Sequence, residues 1–334
     1  MTLLRRLGGN FNLQWPYVLI VCAPILVFFF AELIVGKFTQ TPSFQAIPLR
    51  EDNYLRWIEE APRLQFFALF LLFCVFSWGI IIKFCFDLCL FDWNSRGLLA
   101  LAFFLCVLAG ATIIFSATQY HFLPRSFEYF GEDPDQKGLF QKALESTAAF
   151  TRKGWLDWET FNYFMTAVNF TAGLVVPAFI AGGISCLGQT TEDRKGSWNR
   201  QRERLQTYIY LSSAVLVISV IFMKVWTQYP SFILKQDSAI LKAYSAVVNS
   251  YSVFTGIEYT LLLAAYAVPV GFFLSRQADK IAKAMPKDEA NLSVRDIRAR
   301  ENLTISTQDI LKSVIALLSP LITGSIASLG SLVS

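Results

Sequence analysis

The sequence predicts an all-α, polytopic bundle of transmembrane helices, and three observations carry that prediction. Hydrophobic residues make up 54% of the 334, and charged residues only 16%, against roughly 25% in soluble domains. Mean hydropathy is +0.45. The apolar residues gather in runs of about 20 or more, the length an α-helix needs to cross a bilayer. A soluble core of this size cannot cover 31 phenylalanines.

Six runs qualify as spans. The first, 17–36, follows Trp15 at an interface. Arg5 and Arg6 precede it, and no small-residue cleavage site follows, so it is expected to be retained as a helix rather than removed as a leader. The second is 64–91 and the third 97–119. The fourth is 163–187, the fifth 207–228 and the sixth 251–275. Residues 1–305 form one membrane domain on this reading. Residues 306–334 form a C-terminal membrane-associated helix, either amphipathic at the interface or a seventh span. Ser306 and Asp309 suit its start, and no charge follows Lys312. Ala316, Ser319, Thr323, Ala327 and Ser331 make a small-residue stripe of the kind that lets helices approach closely in lipid. Pro320 is expected to kink it.

Basic residues set the orientation. With a cytoplasmic N-terminus, the inner segments 1–16, 92–96, 188–206 and 276–305 hold 15 of the 29 Lys and Arg. Their density is nearly twice that of the outer segments, so the N-terminus is expected inside, as in a bacterial-type inner membrane. Arg200, Arg202 and Arg204 lie in one inner segment, and Arg295 and Arg298 in another. Both suit anionic lipid or a protein partner. Ser293 with Asp296 three residues later marks a helix start in the latter segment. The largest outer loop, 120–162, suggests a surface helix over 138–150, or a lid over a vestibule.

The composition also narrows the chemistry. There is one histidine, His121, and all six cysteines lie in apolar runs. No catalytic residue, metal site or cofactor is expected, and no nucleotide-binding or hydrolase motif is present. The net charge of +4 is topogenic and gives no argument for nucleic acid. The expected partners are the bilayer itself and either a second copy of the chain or a membrane-complex subunit.

Ionisable groups within spans are the best pointers to function, because burying them in lipid is costly. Lys83 and Asp87 are four residues apart and are expected to form an interfacial ion pair at the inner end of the second span. Glu32, Lys224 and Glu258 fall in the outer half of the membrane. Glu258 lies about 10 Å below the outer start of its helix and Lys224 about 6 Å below its own outer end. The fifth and sixth spans are sequential and antiparallel, so a Lys224–Glu258 pair is expected. Thr166 and Asn169 share a face of the fourth span, which also carries Gly173, Pro177, Gly182 and Gly183. Pro24 and Pro269 interrupt two other spans. Broken helices at depth mark the binding sites of transporters. These features predict a channel or transporter with an outward-facing polar vestibule for ions or small solutes. The alternative is a non-transporting structural or signalling subunit that anchors a partner.

Ala143–Trp155 (ALESTAAFTRKGW) and Leu241–Ile257 (LKAYSAVVNSYSVFTGI) each put a short helix and a bend ahead of a span. This arrangement resembles the pore-helix and filter units of the potassium-transporter superfamily, which use unwound carbonyls and a glycine. Arg152 and Lys153 stand where a cation would pass, and Tyr251 stands where the glycine is expected. The sequence therefore departs from that filter at its conducting positions.

Overall fold

A computed structural model describes residues 15–38, 55–89, 107, 158–187, 194–235, 239–284, 293–301 and 303–329. Among the described residues seven α-helices form: α1 (Trp15–Phe38), α2 (Leu55–Cys89), α3 (Trp158–Ile184), α4 (Arg194–Gln228), α5 (Ala239–Ala284), α6 (Val294–Arg300) and α7 (Thr307–Leu329). Short 3-10 turns follow α3 at Ser185–Leu187 and α4 at Tyr229–Ile233. No strand element forms among the described residues. Among the described residues five helical segments are long and apolar enough to cross a membrane, including Thr307–Ser328 of α7. The chain is a multi-pass, all-α membrane protein. The expected span at 97–119 and the surface helix at 138–150 lie outside the described residues.

Several helices are longer than their spans. α4 begins at Arg194 and α5 continues to Ala284, so both run past the membrane at the basic end. There they share a second, small apolar core of Trp198, Ala278, Ala282, Ile297 and Leu303. The Trp198 indole N–H donates to the Leu274 carbonyl (2.9 Å) and ties α4 to α5. The two segments read as inner, 188–206 and 276–305, therefore meet at one end of the bundle. α6 starts there with the expected capping box. Ser293 Oγ accepts from the Asp296 amide, and the Asp296 carboxylate accepts from the Ser293 amide. The same logic starts α7, where the Asp309 amide donates to Ser306 Oγ (3.0 Å).

Within the membrane, α2, α3, α5 and α7 pack around α4. Asp87 meets Tyr208 while Phe73 stacks on Phe222, so α2 and α4 are antiparallel. Tyr266 meets Ser212 while Tyr244 meets Thr227, so α5 and α4 are antiparallel too. Phe67 and Phe70 both set their rings edge-on to Phe164 of α3. The opposite faces of these helices carry exposed Val75, Phe86, Val268 and Phe272, as lipid-facing surfaces do.

The helices are unbroken where the sequence suggested breaks. α3 runs through Gly173, Pro177, Gly182 and Gly183, α1 through Pro24 and α5 through Pro269. The Leu241–Ile257 unit is likewise corrected. It lies inside one continuous helix, with no bend before Tyr251 and no unwound carbonyls. Packing on neighbouring helices overrides the local cost of glycine and proline. The Ala143–Trp155 unit lies outside the described residues.

Candidate functional site

The most polar part of the buried bundle sits at its basic end. Asp87 is only 7% exposed. Its carboxylate accepts from Lys83 Nζ (2.9 Å) and from the Tyr208 hydroxyl (2.7 Å). The i,i+4 pair therefore forms as the spacing predicted, and a second helix joins it. The Lys83 ammonium also sits 5.3 Å from the Tyr208 ring centroid, within cation–π range. A carboxylate buried in an apolar bundle needs such partners, because desolvation is costly unless its lone pairs are satisfied.

Tyr208 can lie there because Gly182 has no side chain. A Cβ on Gly182 would collide with the Tyr208 ring, and one on Gly183 would come within 2.6 Å of the Tyr266 ring. The Gly182–Gly183 step on α3 thus seats two tyrosines. The glycines that looked like a break are a packing surface. Tyr266 shares a hydrogen bond with Ser212 Oγ (2.8 Å). Ser212 also donates to the Tyr208 carbonyl (2.6 Å). Asp87, Tyr208, Ser212 and Tyr266 therefore form one network across three helices. Neither tyrosine was singled out by sequence. The available signal was the pairing of Gly182–Gly183 with ring-bearing residues on the next two helices.

A second polar locus holds α7. Pro320 has no N–H, which leaves the Ala316 carbonyl without its helical donor. Ser213 Oγ of α4 donates to that carbonyl (2.8 Å) and shares a hydrogen bond with Ser319 Oγ (2.6 Å). The Leu321 amide donates to Thr260 Oγ1 of α5 (3.1 Å). Gly256 and Gly324 face each other, and a Cβ on Gly256 would sit 2.6 Å from the Pro320 carbonyl oxygen. Farther along, Lys224 Nζ donates to the Ala327 carbonyl. The sequence suggested Glu258 as the partner of Lys224; the contact the structure gives Lys224 is with α7.

The other site candidates are scattered. Glu258 is half-buried on α5, and Asn169 is exposed on α3. Glu32 and Thr166 lie on α1 and α3, with side chains outside the described residues. Several basic residues are engaged within the chain. Arg202 lies 5.6 Å from the Trp198 ring centroid and donates to the Thr304 carbonyl (3.3 Å). Arg298 pairs with Asp279 (2.9 Å). Arg200 donates to the carbonyl of Gly196 (3.2 Å) on its own helix. Arg295 is exposed on α6, and Arg204 is half-buried on α4. Among the described residues, no group of three or more His, Cys, Asp or Glu is placed to hold a metal ion. Comparison with protein-family models, curated proteins and solved structures gives no match to this chain.

Proposed function

We propose that the protein is a channel- or transporter-type membrane protein that moves a small polar solute or ion. The observation that supports this best is the buried Asp87 and the hydroxyl ladder that starts beside it. Along α4 the ladder runs from Tyr208 through Ser212 and Ser219 to Thr227, which are all polar and mostly buried. Tyr266 and Tyr244 face it from α5. Polar side chains within lipid-embedded helices are costly and concentrate where solutes, ions or protons pass. In this reading Glu258, Lys224, Glu32, Asn169 and Thr166 ring the outer entrance, and the N-terminus faces the cytoplasm of a bacterial-type inner membrane.

A second reading has its own support. The apolar cluster around Trp198 and the basic surface beside it form a platform at one end, which suits a subunit that anchors a partner or a second copy. Flux from proteoliposomes separates the two. The transport reading expects solute flux above that of empty vesicles, reduced at least tenfold by Asp87→Asn in folded protein. Folded wild-type protein in a silent bilayer would overturn it and favour the anchoring subunit.

A further inference from the structure

The contacts at the basic end fix a common level for four helices. Tyr208 of α4 bonds Asp87 of α2 and lies on Gly182 of α3, and Tyr266 of α5 bonds Ser212. From that level each helix can be followed toward the other end of the bundle. Eleven residues make about three turns and about 16 Å, and return to nearly the same face. On α3 this leads from Gly182 to Thr171, on α4 from Tyr208 to Ser219, and on α5 from Tyr266 to Thr255. On α2 the same level falls at Ser77, ten residues from Asp87 and one turn from Phe73, which stacks on Phe222 of α4. All four positions carry hydroxyls. All four are buried, at 0%, 5%, 8% and 3% exposure.

Two of these hydroxyls have no hydrogen-bond partner: Ser77 Oγ and Thr255 Oγ1. That sets them apart from other hydroxyls in the bundle. Ser219, Thr227 and Ser252 donate back to carbonyls on their own helices, the usual way a helix satisfies Ser and Thr. A buried hydroxyl left without a partner is costly in an apolar surround. Two such hydroxyls, on different helices at one level, leave hydrogen-bonding capacity there for a bound solute or its water.

We infer that Ser77, Thr171, Ser219 and Thr255 form a mid-bundle binding layer for a small, uncharged solute that both donates and accepts hydrogen bonds. Hydroxyls can do both, and this layer carries no charge. A dehydrated cation there would lack a compensating carboxylate. Glu258 lies one turn from Thr255 and about 60° around the helix from it, nearer the stripe of Tyr251, Phe254 and Ala265. The flanking core is apolar, with Val175, Leu216 and Phe222. The inference deepens the transport reading, since it names the substrate class and the place where it pauses. Its test is independent of flux.

Thr255→Val keeps shape and removes one hydroxyl. If the hydroxyl holds a solute or its water, the full-length variant in detergent melts below wild type. A variant that melts above wild type would overturn the layer, because it would show that an orphaned hydroxyl had been removed. The second measurement is access. Thr255→Cys and Ser77→Cys are made in a chain whose six native cysteines are replaced by alanine. Silver ion, which reaches a thiol only from water, is then tested for blocking later maleimide labelling in the unfolded chain. Blocking at both positions is expected. A folded variant whose thiol stays unblocked at either position would overturn the inference. A silent bilayer together with silver access and a lowered Thr255→Val midpoint would remove the transport reading and leave the solute site standing.

Discussion

At the scale of single residues, the structure turns on Asp87 and the glycines opposite it. Asp87 is held by one ammonium and one phenol, so Tyr208→Phe removes one hydrogen bond to the carboxylate and leaves that from Lys83. The expected cost is about 1.5–3 kcal/mol, read as a lower midpoint of thermal unfolding. An unchanged midpoint would mean that Asp87 has other support. Gly182→Ala acts on the same spot from α3. The added methyl meets the Tyr208 ring rather than a flexible chain end, so a loss of about 1–3 kcal/mol is expected. The double variant Gly182→Ala, Tyr208→Phe is expected to lose nearly as much as Gly182→Ala alone, since the displaced ring no longer reaches Asp87. Strict additivity in that cycle would show that the two residues act independently. The i,i+4 spacing of Lys83 and Asp87 made their pairing legible in the sequence. Tyr208 was not legible, because nothing local says which helix supplies the third partner.

Among the elements, α7 and α6 make opposite demands. α7 lies against α4 and α5 through close backbone contact and through the groups that Pro320 frees. Thr260→Val takes away the acceptor of the Leu321 amide and leaves that amide unpaired, at an expected cost of about 1–3 kcal/mol. Gly324→Ala brings a methyl to 2.5 Å from the Ser252 carbonyl oxygen, where neither backbone can yield easily. It is expected to release α7, read as new protease cleavage within 301–329. Protection equal to wild type would contradict the close packing. The small-residue stripe and Pro320 announced this helix in the sequence, but the stripe does not say which helix it faces. α6 depends on a cap outside the membrane. The Ser293 side chain and amide hold the Asp296 carboxyl below its ordinary range. A carboxyl depressed by folding stabilises above its unfolded pKa and loses that contribution as pH falls through the folded value. Hydrogen exchange at residues 294–298, corrected for intrinsic rates, is therefore expected to lose protection on acidification below about pH 4. Protection constant to the lowest pH that keeps the bundle folded would contradict this cap.

For the whole molecule, hydropathy told most of the story. Run length and low charge gave the all-α membrane fold, and basic density grouped the two segments that meet beside Trp198. Proline and glycine misled, because a helix packed on both sides tolerates them and their presence alone reads as a break. The polar path was less visible for a related reason. Ser77, Thr171, Ser219 and Thr255 are ordinary span residues in isolation, and become a group only when four helices share a level. Lys224 and Glu258 stood out as charges, yet Lys224 anchors the end of α7. In the proposed function a small polar solute crosses along α4, past Asp87 and the four hydroxyls. The most direct measurement is stopped-flow swelling of proteoliposomes in gradients of glycerol, urea and potassium chloride, with wild type, Asp87→Asn and Glu258→Gln. Wild type is expected to speed entry of an uncharged solute over empty vesicles, and Asp87→Asn to cut this at least tenfold. Wild-type rates equal to empty vesicles for all three would contradict the claim, and potassium chloride entry alone, lost in Glu258→Gln, would contradict its uncharged substrate.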